Sequence, residues 1–207
     1  MNFEPFPKIA RLSRECVITE KIDGTNAQVF IAEEPTSDIP WLAKVPHNGL
    51  TRYVAAGSRN RWLSSESDNY GFALWVLRNA DELVKLGPGR HFGEWWGLGI
   101  QRGYGLKEKR FSLFNVDRWV PKEFAVGERF AESDQQVPPP CCHVVPVLYR
   151  GIFHTSEINA VLESLVVNGS SAAPGFMDVE GIVIFHTASR TLFKKTVVGD
   201  ESPKGAQ

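Results

Sequence analysis

Cysteine, net charge and long apolar runs are what this chain has least of, and each shortage closes off a class of protein. Three cysteines, two of them adjacent at Cys141 and Cys142, make neither a disulfide framework nor a Cys-x-x-Cys metal spacing. They read as structural, reduced thiols of a cytosolic protein. No stretch approaches the roughly 18 consecutive apolar residues of a membrane span, and the opening residues lack the apolar core of a secretory signal. A soluble, cytoplasmic protein with no membrane partner is expected. The formal net charge of -1 leaves no global field of the kind that coats nucleic acid non-specifically. Any contact with nucleic acid must therefore be local. What is present is a core: 207 residues at 43% hydrophobic content suffice to bury one substantial core, so a single domain over 1–207 is the expectation.

The stretch around which the chain is organised is Glu20-Lys21-Ile22-Asp23-Gly24-Thr25-Asn26. Val17-Ile18 before it and the alternating Ala27, Val29 and Ile31 after it predict two strands joined by a short loop. A lysine amine becomes a nucleophile once it has lost its proton, which partial burial and neighbouring cations favour. Lys21 is thus a candidate covalent catalyst, or else a surface lysine beside an Asp-Gly turn. Gly24 lets the backbone approach a ligand closely, while Asp23 and Thr25 place an acceptor and a hydroxyl next to it.

Four more stretches carry chemistry. Tyr53-Val54-Ala55-Ala56 is strand-like and delivers Gly57-Ser58-Arg59, where an arginine past a strand end suits phosphate or ribose contact. In His91-Phe92-Gly93-Glu94-Trp95-Trp96-Gly97, Glu94 is a carboxylate among apolar neighbours, and a buried carboxylate needs a partner. It could accept from ribose hydroxyls, while Trp95 packs under a nucleotide or under the sheet. Glu180, opening a strand over 179–186, suits a divalent cation that would neutralise triphosphate oxygens. The second strand of that hairpin, over 191–197, carries Lys194 and Lys195.

In this order, the five stretches resemble the covalent nucleotidyltransferases, meaning ATP-dependent RNA and DNA ligases and mRNA capping enzymes. Lys-x-x-Gly followed by Thr-Asn is most similar to the RNA ligase 2 branch, and the resemblance runs from about Glu20 to Lys195. It implies an α+β nucleotidyltransferase (ATP-grasp-like ligase) domain of mostly antiparallel sheets with flanking helices. It also implies ATP and Mg²⁺ or Mn²⁺ as cofactors, lysine adenylylation, and sealing of 5′-phosphate and 3′-hydroxyl ends in RNA repair. RNA ends, in a nicked duplex or a broken strand, are the implied partners. The little chain before Lys21 leaves no room for the upstream module of NAD-dependent DNA ligases, and the little after Lys195 none for a barrel or helical domain. The expectation is a minimal, catalytic-domain ligase. DNA nick sealing is the alternative, as is a module that binds nucleotide or RNA ends without turnover.

Carried over position by position, the resemblance makes Lys21 the nucleophile, Glu180 the metal-linked acid, and Glu94 the ribose ligand. Glu20, Ile22 and Phe114 would hold adenine, Phe114 being preferred to Phe111 for stacking. Arg59 would contact nucleotide and RNA end, with Asn26 and Asp23 also serving the RNA end. The chain departs from the family at its last motif. Many ligases show Lys-x-Lys, which puts both lysines on one strand face, but here they are adjacent and must point oppositely. Lys194 is chosen for the α-phosphate, with Lys195 as the second nucleotide-binding lysine and Lys204 a possible supplement.

The remaining segments read as scaffold. A helix is expected over 68–86, capped by Ser67 or Asp68 and stopped at Gly87, with Phe72, Trp75, Val76 and Leu83 in the core. A second is expected over 156–165, and a buried strand over 111–116. The glycine-rich, basic run over 101–110 could track a phosphate backbone, form a mobile flap or be a solvated loop. Residues 121–140 read as surface structure, and His47 as a loop histidine.

Overall fold

The computed structural model describes residues 2–124 and 134–200. Among them the strands are, in order, β1 (Glu15–Lys21), β2 (Thr25–Ala32), β3 (Ala43–His47), β4 (Leu50–Ser58), β5 (Trp62–Leu63) and β6 (Gly89–Gly97). They continue as β7 (Lys109–Leu113), β8 (Cys142–Val144), β9 (Val147–Ile152), β10 (Gly181–His186) and β11 (Thr191–Thr196). The described helices are α1 (Phe72–Arg78), α2 (Ala80–Leu83) and α3 (Thr155–Asn168). Mostly antiparallel sheets with few helices make this the α+β class expected. The chain divides into two units, Met1–Ile22 with Pro146–Gln207, and Asp23–Val145.

The first unit is a four-stranded antiparallel sheet in the order β11-β10-β1-β9. Alternate residues of its strands point to one face, where Cys16, Ile18, Ile182 and Ile184 meet Ile158 and Leu165 of α3. The face is thus set by period two in the strands and by the three-to-four spacing of Ile158, Val161, Leu162 and Leu165 in the helix. Residues 2–13 form no helix or strand, as their prolines suggested.

The second unit is a seven-stranded sheet ordered β3-β4-β2-β6-β7-β8, with β5 paired to β4. Its pairs are antiparallel except β7 with β8. Ala27, Val29 and Ile31 of β2 are buried, as their alternation requires. An aromatic core of Phe72, Trp75, Trp95 and Phe111, with centroids 5.2–5.7 Å apart, lies beneath this sheet. Each such pair adds about 0.5–1.5 kcal/mol beyond its area.

Three elements differ from expectation. The helix over 68–86 is α1, then α2, then a 3₁₀ turn over Val84–Leu86, because Asn79 leaves helical geometry at φ -109 and ψ 13. Its side-chain amide donates to the Trp75 carbonyl at 2.8 Å, a local bond that competes with the helix. The N-cap is Gly71, with α1 starting only at Phe72, rather than Ser67 or Asp68, though the Asp68 carboxylate accepts from the Ala73 N–H at 2.7 Å, and Gly87 at φ 81 ends the run. The strand over 111–116 closes at Leu113, leaving Phe114 just beyond it. The second helix is longer than expected, at Thr155–Asn168. Part of the 121–140 segment, and Lys204, lie outside the described residues. Among the described residues no helix is long and apolar enough to cross a membrane.

Candidate active site

Lys21 is the last residue of β1 and pairs with Gly181, the first residue of β10. That register brings Glu180 to the lysine: Nζ donates to Oε2 at 2.8 Å, with side-chain exposures of 22% and 6%. A partly open amine is therefore held by a buried carboxylate. Gly181 makes the approach possible. Its φ is +152, and a Cβ there would run into the Lys195 carbonyl and come within 2.8 Å of Thr196 Cα.

Strand pairing separates the two adjacent lysines. Partners in an antiparallel ladder share a face, so Lys21, Gly181 and Thr196 form one row, and Thr19, Val183 and Lys194 form the next row on the same face. Glu20, Ile182 and Lys195 lie on the opposite face, toward α3, where Lys195 Nζ donates to Asn159 Oδ1 at 2.9 Å. Lys194 is exposed on the Lys21 side of the sheet.

Glu20 is 2% exposed. Its Oε1 accepts from the Ser170 hydroxyl at 2.5 Å and its Oε2 from the Ala172 N–H at 2.9 Å. Burial pushes its carboxyl above the usual carboxylate range, partly offset by the bonds from Ser170 and from the Ala172 and Ser171 backbone. These contacts tie the end of β1 to the segment after α3. Ile22 is buried next to it in sequence.

Other expected residues lie in the second unit. Asn26 donates through Nδ2 to Glu94 Oε2 at 3.0 Å and accepts through Oδ1 from Arg59 Nε at 3.1 Å. One amide thus bridges a guanidinium and a carboxylate that is 7% exposed. Asn26 pairs with Glu94, and Glu94 with Ser112, so all three share one sheet face. Two residues beyond Ser112, Phe114 continues the ladder by donating its N–H to the Phe92 carbonyl and is 41% exposed. Phe111 points to the opposite face and is buried in the aromatic core, as is Trp95.

Asp23 and Gly24 are fixed by contacts that spacing did not reveal. Arg102 Nε donates to Asp23 Oδ2 at 3.0 Å, and the Asp23 N–H donates to the Tyr104 hydroxyl at 2.7 Å. A Cβ on Gly24 would sit 2.5 Å from the Trp95 carbonyl oxygen and 2.7 Å from Trp96 Cβ, so glycine is required there. The 101–105 part of the basic run is therefore bonded to the loop after Lys21. An aromatic between Gly103 and Gly105 was the only sign of it.

For a divalent cation the donor set is sparse: among the described residues no group of three or more His, Cys, Asp or Glu side chains could hold one. Mg²⁺ commonly takes only one or two carboxylates plus substrate phosphates. Glu180 fits this mode. Cys141 and Cys142, with Sγ atoms 3.9 Å apart, are free thiols.

Comparison with known proteins shows the family and the fold. The sequence model described as RNA ligase matches residues 14–197. A variant of Naegleria gruberi RNA ligase with ATP and manganese superposes with a TM-score of 0.55 at 19% identity, over 89% of this chain and 50% of that one. The same ligase with pyrophosphate gives 0.52 at 20% identity, over 89% and 50%. A variant with AMP and manganese gives 0.53 at 18%, again over 89% and 50%. The chain thus spans about half the length of these structures, and at such identities the likeness shows the fold. No curated protein sequence matches.

Proposed function

The chain belongs to the RNA ligase family, and from this premise we propose that it is an ATP-dependent RNA ligase built on a nucleotidyltransferase fold. It seals 5′-phosphate and 3′-hydroxyl ends through a lysyl-AMP intermediate. The observation that carries the reading is the Lys21 amine held 2.8 Å from Glu180 at the paired ends of β1 and β10. A carboxylate at that distance can hold the ammonium and accept its proton before the freed amine attacks.

In the first step Lys21 Nζ attacks the α-phosphorus of ATP. A phosphorus–nitrogen bond forms, the bond to the β-phosphate oxygen breaks, and pyrophosphate leaves with the electron pair. Lys194 supplies positive charge on the Lys21 face, where phosphoryl transfer most needs it. A divalent cation at Glu180 would neutralise triphosphate oxygens. Glu94 accepts from the ribose, Phe114 stacks on adenine, and Arg59 meets nucleotide and RNA end. Glu20, already bonded to Ser170 and Ala172, acts by fixing the strand that carries Lys21. Asn26 and Asp23 serve the later steps, in which AMP passes to the 5′-phosphate and the 3′-hydroxyl displaces it. Free thiols suit a reducing, cytosolic compartment.

The test is sealing of end-labelled RNA, as a broken strand and as a nicked duplex, beside all-DNA substrates and the Lys21→Ala variant. Joined RNA from the wild type alone is expected. Sealing confined to DNA would establish the DNA-ligase alternative, and RNA binding unaffected by Lys21→Ala with no joining would establish a binding module.

A further inference from the structure

The face of the second sheet that carries Asn26 and Glu94 does not end there. Along β2 the same side is occupied by Gln28 and Phe30, since Ala27, Val29 and Ile31 point to the buried side. Ladder partners extend it. Phe30 pairs with Ala55 and Arg90, Gln28 with Gly57, Ala32 with Tyr53, Tyr53 with Lys44, and Gly57 with Trp62. Ala55 and Gly57 are small, which leaves space over the sheet for large rings. A Cβ on Gly57 would lie 2.8 Å from the Gln28 side chain.

Rings fill that space. Phe30 stacks on Trp41 at 5.6 Å and leans on Trp62 at 5.7 Å, and Trp41 meets Tyr53 at 5.8 Å. The Arg90 guanidinium lies 4.6 Å from the Phe30 centroid and 5.0 Å from that of Trp62, steadied by a 3.0 Å bond to Gln28 Oε1. Lys44 Nζ lies 5.9 Å from the Tyr53 ring. The four rings are partly exposed, and Arg90 and Lys44 are exposed. Glu94, the carboxylate already described on this side, accepts from Asn26. By contrast the aromatic cluster on the other face is core, with Phe72, Trp95 and Phe111 fully buried.

We propose that Phe30, Trp41, Trp62 and Arg90 form a stacking platform for unpaired RNA flanking the end to be joined. The exposed parts of these rings can take up bases of any sequence, and Arg90 and Lys44 supply local charge for phosphates on a chain with no basic excess overall. Four residues of antiparallel strand separate Phe30 from Asn26, about 14 Å along one face, so the platform is continuous with the proposed RNA-end residues. Stacking of this kind requires bases that are not already paired. The preferred substrate is therefore an end with a single-stranded flank, not a continuous nicked duplex. The choice of RNA rests on the ligase reading; the platform itself rests on the rings and cations.

The experiment measures, on the whole chain, binding of a fluorescent 5′-hydroxyl oligouridylate, which cannot be joined, together with lysine labelling by α-labelled ATP. Trp62→Ala should weaken binding about fivefold or more, the effect of one lost base stack, and Trp62→Phe should restore most of it. Arg90→Gln, at an exposed side chain, should weaken binding and lower its salt dependence. Labelling should stay at the wild-type level in all three. Binding of all three variants at wild-type affinity, or no binding by the wild type, would overturn the platform and leave the face to a protein partner. Absence of wild-type labelling with binding still dependent on Trp62 and Arg90 would instead sink the ligase reading and keep the platform.

Discussion

Replacing each of the adjacent lysines by alanine should give sharply different enzymes. β11 and β1 both flank β10, so they lie two strand spacings apart, about 9.6 Å. Lys194 lies two residues along β11 from Thr196, the residue in the Lys21 row, which adds about 7 Å along the strand. The two Cα atoms are then about 12 Å apart on one face, a separation that two extended lysine side chains close onto a single phosphate. Removing a preorganised group of this kind costs about 10²–10³ in rate. Lys194→Ala should therefore slow single-turnover transfer of AMP to the chain by about that factor, with the melting temperature unchanged. Lys195→Ala loses a bond to Asn159 on the helix side, about 0.5–1.5 kcal/mol of stability at most, and should label at nearly the wild-type rate. Equal losses in the two variants, or a larger loss in Lys195→Ala, would refute the assignment by strand register.

Two further substitutions probe the scaffold of the same strand ends. Burial raises the Glu20 carboxyl in the folded chain, so its contribution to stability is complete below the ordinary glutamate value of about 4.3 and is lost as pH rises through the raised value. Urea melts should show wild type losing stability relative to Glu20→Gln as pH climbs from about 4 toward neutral; parallel curves would contradict this. Gly181→Ala forces a side chain onto the Lys195 carbonyl at a positive φ, and should cost about 1–3 kcal/mol in a thermal or urea melt and reduce lysine labelling with it. An alanine variant as stable and as readily labelled as wild type would show that the β10 start relaxes freely.

Local pattern made much of this legible. Alternation at Ala27, Val29 and Ile31 announced β2, and Lys21 stands at the end of the preceding strand, three residues before Gly24. The break at Asn79 was not legible, because Ala80 to Leu86 are helix-compatible and the asparagine's bond to Trp75 is a choice between two local partners. Long-range partnerships were also hidden. Glu20 finds Ser170 and Ala172, and Asp23 finds Arg102 and Tyr104, only once the sheets pair, and no spacing rule links positions so far apart. The Lys194 and Lys195 faces depended on a register that starts at Gly181, since a shift of one residue would exchange them. Phe114 was preferred to Phe111 on resemblance alone; in the structure Phe111 is buried in the aromatic core and Phe114 lies exposed just past β7.

The central claim is that the Lys21 amine accepts AMP. The direct measurement is incubation of the chain with α-labelled ATP and Mg²⁺, denaturation, and detection of label that stays bound, in wild type, Lys21→Ala and Glu180→Gln. The account predicts label on wild type that pyrophosphate removes, none on Lys21→Ala, and much slower labelling of Glu180→Gln. Label of equal amount on Lys21→Ala, or none on a wild-type chain whose mass shows no AMP already attached, would contradict it.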